Sequence, residues 1–190
     1  MKPSSLTRTV TLIVLCLAAG SASAHPGHVA AGFTGGLAHP FLGLDHMLAM
    51  IAVGLWATQL GGRARRGVPT AFAGAMGVGG ALAWTGVTLP HIEYGIALSV
   101  LVLGLLVATQ RQWPVAVGMA IAAVFALFHG YAHGLEMPQI ASPALYALGF
   151  TLATASLHAV GLAASVIGPR AMQLAGLGIA ATGLSLVLGV

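Results

Sequence analysis

The chain has 190 residues, of which 58% are hydrophobic and only 5% charged, with seven basic and three acidic side chains. A soluble domain carries roughly 25% charged residues, so a water-facing surface cannot be built from this set. Apolar runs near the roughly 20 residues that cross a bilayer make lipid the solvent, and the net charge of +4 rests on too few groups to suggest a nucleic-acid partner.

Residues 1–24 combine a basic start (Lys2, Arg8), an apolar stretch from Val10 to Ala19 and the small-residue run Ser21-Ala22-Ser23-Ala24. That pattern predicts a secretory signal peptide cut after Ala24. Cys16, the one cysteine, falls inside it, so the mature chain is expected to have neither a disulfide nor a thiolate ligand. Cleavage leaves His25-Pro26-Gly27-His28 as the new N-terminus. These two histidines are either a loose metal-capturing arm or a plain tail.

Residues 25–190 are expected to form one all-α transmembrane domain of six helices. The apolar segments run approximately over 40–60, 68–89, 92–109, 113–132, 143–167 and 170–190. Glycine and proline mark the joints: Gly61-Gly62, Pro69, Pro90, Pro114, Pro138, Pro143 and Pro169. The 27 glycines lie mostly within the apolar runs, which points to close helix packing in lipid. With the mature N-terminus outside, Arg63, Arg65, Arg66, Arg111 and Arg170 all fall on cytoplasmic connections. This is the bias that the positive-inside rule asks for, and it predicts a bacterial inner-membrane protein with both ends in the periplasm. There is no phosphate-binding loop of the GxxxxGK[ST] kind in the sequence, and so no sign of an ATP-driven engine.

Ionisable groups at membrane depth are costly and therefore functional candidates. The first cluster is HPFLGLDH, with His39, Asp45 and His46. Seven residues, two helical turns, separate the histidines, so on a continuous helix they project to nearly the same side. Asp45 either ligates directly or orients a neighbouring imidazole. The second cluster is HGYAHGLE, with His129, His133 and Glu136 at i, i+4 and i+7. On a helix these form one stripe, the i,i+4 pair about 5–6 Å apart at Cβ, a spacing that chelates a divalent ion. Gly134 and Pro138 threaten to end that helix before Glu136.

The remaining candidates are accessory. His158 lies mid-segment with Thr151, Thr154 and Ser165 at helical spacing, a polar stripe expected to face the bundle interior. It is either a lower step on an ion path or a histidine held by an interhelical hydrogen bond. His91 and Glu93 sit in a short outer connection, where surface solvation competes with a role at the entrance. Imidazole with carboxylate suits nickel, cobalt, zinc and copper(II) alike.

The stretches HPFLGLDHMLAMIAVGLWATQLGG and FHGYAHGLEMP resemble the two signatures of the HupE/UreJ family of bacterial nickel/cobalt permeases, and the likeness extends over essentially the whole mature chain. It implies secondary, ATP-independent uptake of Ni2+ or Co2+ for hydrogenase, urease or cobalamin assembly. The ion would be cargo and not a permanently bound cofactor. Partners would be the divalent metal ion and membrane lipid. Carried over by position, the metal-handling residues are His39, Asp45, His46, His129, His133 and Glu136. Two other classes fit the residues: an intramembrane zinc hydrolase with Glu136 as base, and a non-transporting accessory or sensor subunit.

Overall fold

A computed structural model describes residues 32–137 and 142–189, which are almost entirely helical. Helices α1 (Gly32–Ala38), α2 (Leu44–Leu60), α3 (Ala64–Ala83), α4 (Ile92–Thr109), α5 (Val115–Glu136), α6 (Pro143–Ala163) and α7 (Pro169–Leu188) follow in order, with short 3-10 turns at His39–Phe41 and Ala164–Ile167. The limits follow from backbone chemistry. Pro143 and Pro169 open their helices, where a missing N–H costs nothing. Gly61, at φ 69°, ends α2 in a conformation that a side chain would strain.

The helix that supplies Asp45 and His46 is central. Six consecutive residues of α2, Ala52 to Ala57, are buried, and Ala49 and Met50 are fully enclosed as well. A stretch that is apolar on every side belongs inside a bundle. The surrounding helices turn the other way: Val78, Leu98, Leu105, Val124, Leu148, Leu152, Leu174 and Leu177 all stand exposed. Large apolar side chains spread over the outside suit lipid and not water.

Among the described residues, α4, α5, α6 and α7 are long and apolar enough to cross a bilayer. The pair Gly32–Phe41 and Leu44–Leu60 makes a fifth span if taken together, although its two parts are bent by 80°. Helix α3 has span length, but its five glycines and Arg65 and Arg66 lower its apolar character, and it does not meet the same criterion. The structure therefore supports a helical membrane protein with four or five clear spans. The proposed signal peptide, with His25 and His28, lies outside the described residues.

The expected first segment, 40–60, is not one helix. Pro40 sits in the 3-10 turn, the Leu42 N–H bonds to the His39 carbonyl at 3.0 Å, and Gly43 is extended (φ −102°, ψ 117°) before α2 begins. Helix α3 begins at Ala64 and stops at Ala83, short of the expected 89. At its far side, Trp84 Nε1 donates to the Gly134 carbonyl at 3.1 Å, and the Tyr131 hydroxyl donates to the Val87 carbonyl at 2.7 Å. These two bonds tie the connection after α3 to α5.

Glycines set how closely the helices approach. A Cβ on Gly79 or Gly130 would run into the backbone carbonyls of Leu127 and Met76, across the α3–α5 contact. One on Gly104, Gly176 or Gly183 would strike backbone across the α4–α7 contact. Gly54 and Gly161 do the same between α2 and α6, as do Gly36 and Gly149 between α1 and α6. Backbone-to-backbone contact of this kind is how helices associate where lipid removes the hydrophobic drive. At the end of the bundle where α2 and α4 finish, Gln59 Nε2 donates to the Val107 carbonyl at 2.8 Å and Gln112 Nε2 to that of Gln59 at 3.0 Å.

Candidate metal site

The break at Gly43 places the two halves of the first cluster on different elements. His39 comes from the 3-10 turn, while Asp45 and His46 lie in the first turn of α2. The expectation that His39 and His46 share one side of a continuous helix is therefore wrong, because Pro40 and Gly43 interrupt it. Helix α5, by contrast, runs through Gly134 to Glu136, so the second cluster keeps its stripe.

The two clusters meet. His39 Nε2 donates to Glu136 Oε2 at 2.9 Å, and His133 Nδ1 lies 3.6 Å from the same oxygen. One nitrogen or oxygen from each of His39, His133 and Glu136 falls within 4.8 Å of the others, a spacing that can hold a metal ion. Deeper in, the ring centroids of His133 and His46 are 4.3 Å apart, and those of His46 and His129 4.8 Å. His39, Asp45, His46, Glu93, His133 and Glu136 line a common cavity of about 270 Å³.

Exposure falls along this line. Glu136 is half exposed and His39 a quarter, whereas His133, His46 and His129 are buried, the last completely. Phe72, also fully buried, lies with its ring 5.7 Å from that of His129 and 5.3 Å from that of His158 on α6. His158 and Thr154 are buried together, and neither His158 Nε2 nor Thr154 Oγ1 has a hydrogen-bond partner. Only part of the expected polar stripe faces inward, since Thr151 is exposed and returns its hydroxyl to the Ala147 carbonyl at 2.7 Å. Side-chain detail at Ser165 lies outside what is described.

Asp45 has a definite task. Its Oδ1 accepts from the His46 backbone N–H and from His46 Nδ1, both at 2.8 Å. The proton on Nδ1 leaves the lone pair on Nε2, which is buried and unpartnered. An acid that orients an imidazole in this way is the usual support of a metal-ligating histidine. Unpartnered buried nitrogens are also found on His129 (Nδ1) and His133 (both). Such groups cost on the order of 1–3 kcal/mol each when left alone, and their concentration in one place calls for a function. A divalent cation accepts several nitrogen lone pairs at once.

Glu93 joins the cavity wall, whereas His91 stays exposed, starts α4 in the left-handed region (φ 55°) and lies against Tyr94. Three contributors escape a reading of motifs. Ser99, fully buried on α4, stands 2.7 Å from His129 Nε2; the sequence hint is a lone hydroxyl within the apolar run Gly95 to Ala108. Phe150 packs its ring 4.2 Å from that of His133, and Phe72 joins His129 to His158. Nothing local distinguishes these two phenylalanines from ordinary core residues.

The family model described as HupE / UreJ protein matches residues 13–186. Protein HupE of Rhizobium leguminosarum bv. viciae is 42% identical over 194 residues, which cover all of both chains. No solved structure matches. Two motifs brought into contact across α2 and α5, on a chain matched along nearly its whole length, leave one assignment: the chain belongs to the HupE/UreJ family.

Proposed function

We propose that this protein takes up nickel or cobalt across the bacterial inner membrane by secondary, ATP-independent transport, for hydrogenase, urease or cobalamin assembly. The observation that carries the reading is the line of side chains from half-exposed Glu136 and partly exposed His39 through the imidazoles of His133, His46 and His129 to buried His158. A catalytic centre gathers its ligands around one point, whereas these descend into the bundle.

The ion enters hydrated at Glu136 and His39, with Glu93, His91 and the N-terminal His25 and His28 as outer collectors. It exchanges water for His133 and His46, the latter held in register by Asp45, and then for His129. Past Phe72 it meets His158 and Thr154. No thiolate grips it, which suits an ion that has to be released. The topology that goes with this function is a cleaved signal peptide and six spans, α3 included, with both ends in the periplasm. Five arginines then lie on the cytoplasmic side and all three acids at or near the other.

The test is radioactive nickel uptake in cells lacking their own importers, comparing the wild type with His129→Ala at equal membrane level. Uptake that vanishes with His129 supports transport, and the order in which cobalt and zinc compete names the preferred metal. A correctly inserted protein giving no uptake above background refutes it.

A further inference from the structure

The Ser99 hydroxyl makes two short contacts. It stands 2.6 Å from the Ile96 carbonyl on its own helix and 2.7 Å from His129 Nε2 on α5. A hydroxyl has one proton, and a carbonyl can only accept. The proton therefore goes to Ile96, and Ser99 Oγ meets the imidazole with a lone pair. An Nε2 carrying its own lone pair at 2.7 Å would be repelled, so Nε2 must carry the hydrogen and donate it to Ser99.

The other side of the ring agrees. His129 Nδ1 is buried with no hydrogen-bond partner, and the residue has no exposed surface. The alternative tautomer would place an N–H donor there with nothing to receive it, and buried orphan donors are rare. Both ends of the ring thus select the same form, with Nε2–H toward α4 and a bare Nδ1 lone pair.

We propose that Ser99 is a positioning residue for metal binding, fixing His129 as the Nε2–H tautomer so that Nδ1 is the atom presented to the ion. This rests on the reading of the histidine cluster as a metal path. It gives α4, whose Glu93 already lines the cavity, a hold on a buried histidine of the site. Ser99 serves His129 as Asp45 serves His46, except that the orienting group is a neutral hydroxyl whose single proton is already committed to its own helix.

The experiment uses the full chain in detergent, labelled with nitrogen-15 at histidine. In the metal-free protein, His129 should show a protonated Nε2 and an unprotonated Nδ1. Ser99→Ala removes one oxygen and creates no clash; it should give mixed tautomers at His129 and weaken cobalt binding, followed by visible absorption, by about 10–100-fold, the usual effect of losing an orienting partner. Protonation of Nδ1 in the wild type overturns the proposal. So does a Ser99→Ala protein that keeps a single Nε2–H form, whatever its affinity, or one that binds cobalt as the wild type does. A wild type with the Nε2–H tautomer that binds no cobalt instead refutes the metal-path reading, and the nitrogen signals separate the two failures.

Discussion

Gly43→Ala tests the Asp45–His46 pair without touching either residue. The backbone at Gly43 is ordinary extended chain (φ −102°, ψ 117°), which alanine adopts without strain. The obstacle is the side chains, since an added Cβ would lie 2.8 Å from Asp45 Oδ1 and 3.0 Å from His46 Nδ1. Ordinary contact needs roughly 3.5 Å or more, so the carboxylate has to move away from the ring. Two hydrogen bonds of 2.8 Å converge on that oxygen, and a bond to a charged group is worth about 1.5–3 kcal/mol. At 1.4 kcal/mol per factor of ten, losing the imidazole bond predicts metal affinity weaker by about 10–100-fold. Uptake should fall accordingly at subsaturating nickel and recover in part at high nickel, with the protein present in the membrane at normal level. Wild-type uptake at low nickel, at equal expression, would refute the reasoning, because it would mean that the pair does not set the geometry of His46.

Two further outcomes follow from the packing and from the arginines. Gly130→Ala places a methyl group against the Met76 carbonyl and should cost at least about 1–3 kcal/mol as overpacking, lowering the thermal aggregation midpoint in detergent. Gly77→Ala on α3 meets nothing within 4 Å and should leave the midpoint unchanged; equal midpoints for the two variants would contradict the seam. For topology, with Cys16 replaced by serine, Arg65→Cys should react with a membrane-impermeant thiol reagent only after the inner membrane is opened, and Tyr94→Cys in intact spheroplasts. Labelling of both from the same side would exclude α3 as a span.

The helical class, the two motifs and the run 92–109 could be read directly, because long apolar stretches and clustered ionisable residues are local signals. The break between His39 and His46 could not. A proline suits a first helical turn and Gly43 is one of 27 glycines, yet together Pro40 and Gly43 end one element and start another. Helix α5 went the other way: Gly134 and Pro138 threatened Glu136, but Gly134 is needed for close packing on Gly80 of α3 and the helix continues. Ser99, Phe72 and Phe150 were hidden for a different reason. Their part in the site arises from which helices become neighbours, and that is a property of tertiary packing with no sequence spacing to betray it. Part of the low apolar character of α3 has the same origin, since Gly79 and Gly80 lie against the backbone of α5.

The glycine seams have a mechanical consequence. Where two helices touch backbone to backbone there are no long side chains to slide or change rotamer, so each pair behaves as a stiff unit. The seams define three such units: α3 with α5, α4 with α7, and α1 and α2 with α6. His129, His133 and Glu136 ride on the first, Ser99 on the second, and Asp45, His46 and His158 on the third. A rocking of one unit against another, with no helix bent, would change the distances within the cluster directly. The boundaries between these units and the histidine cluster share one location.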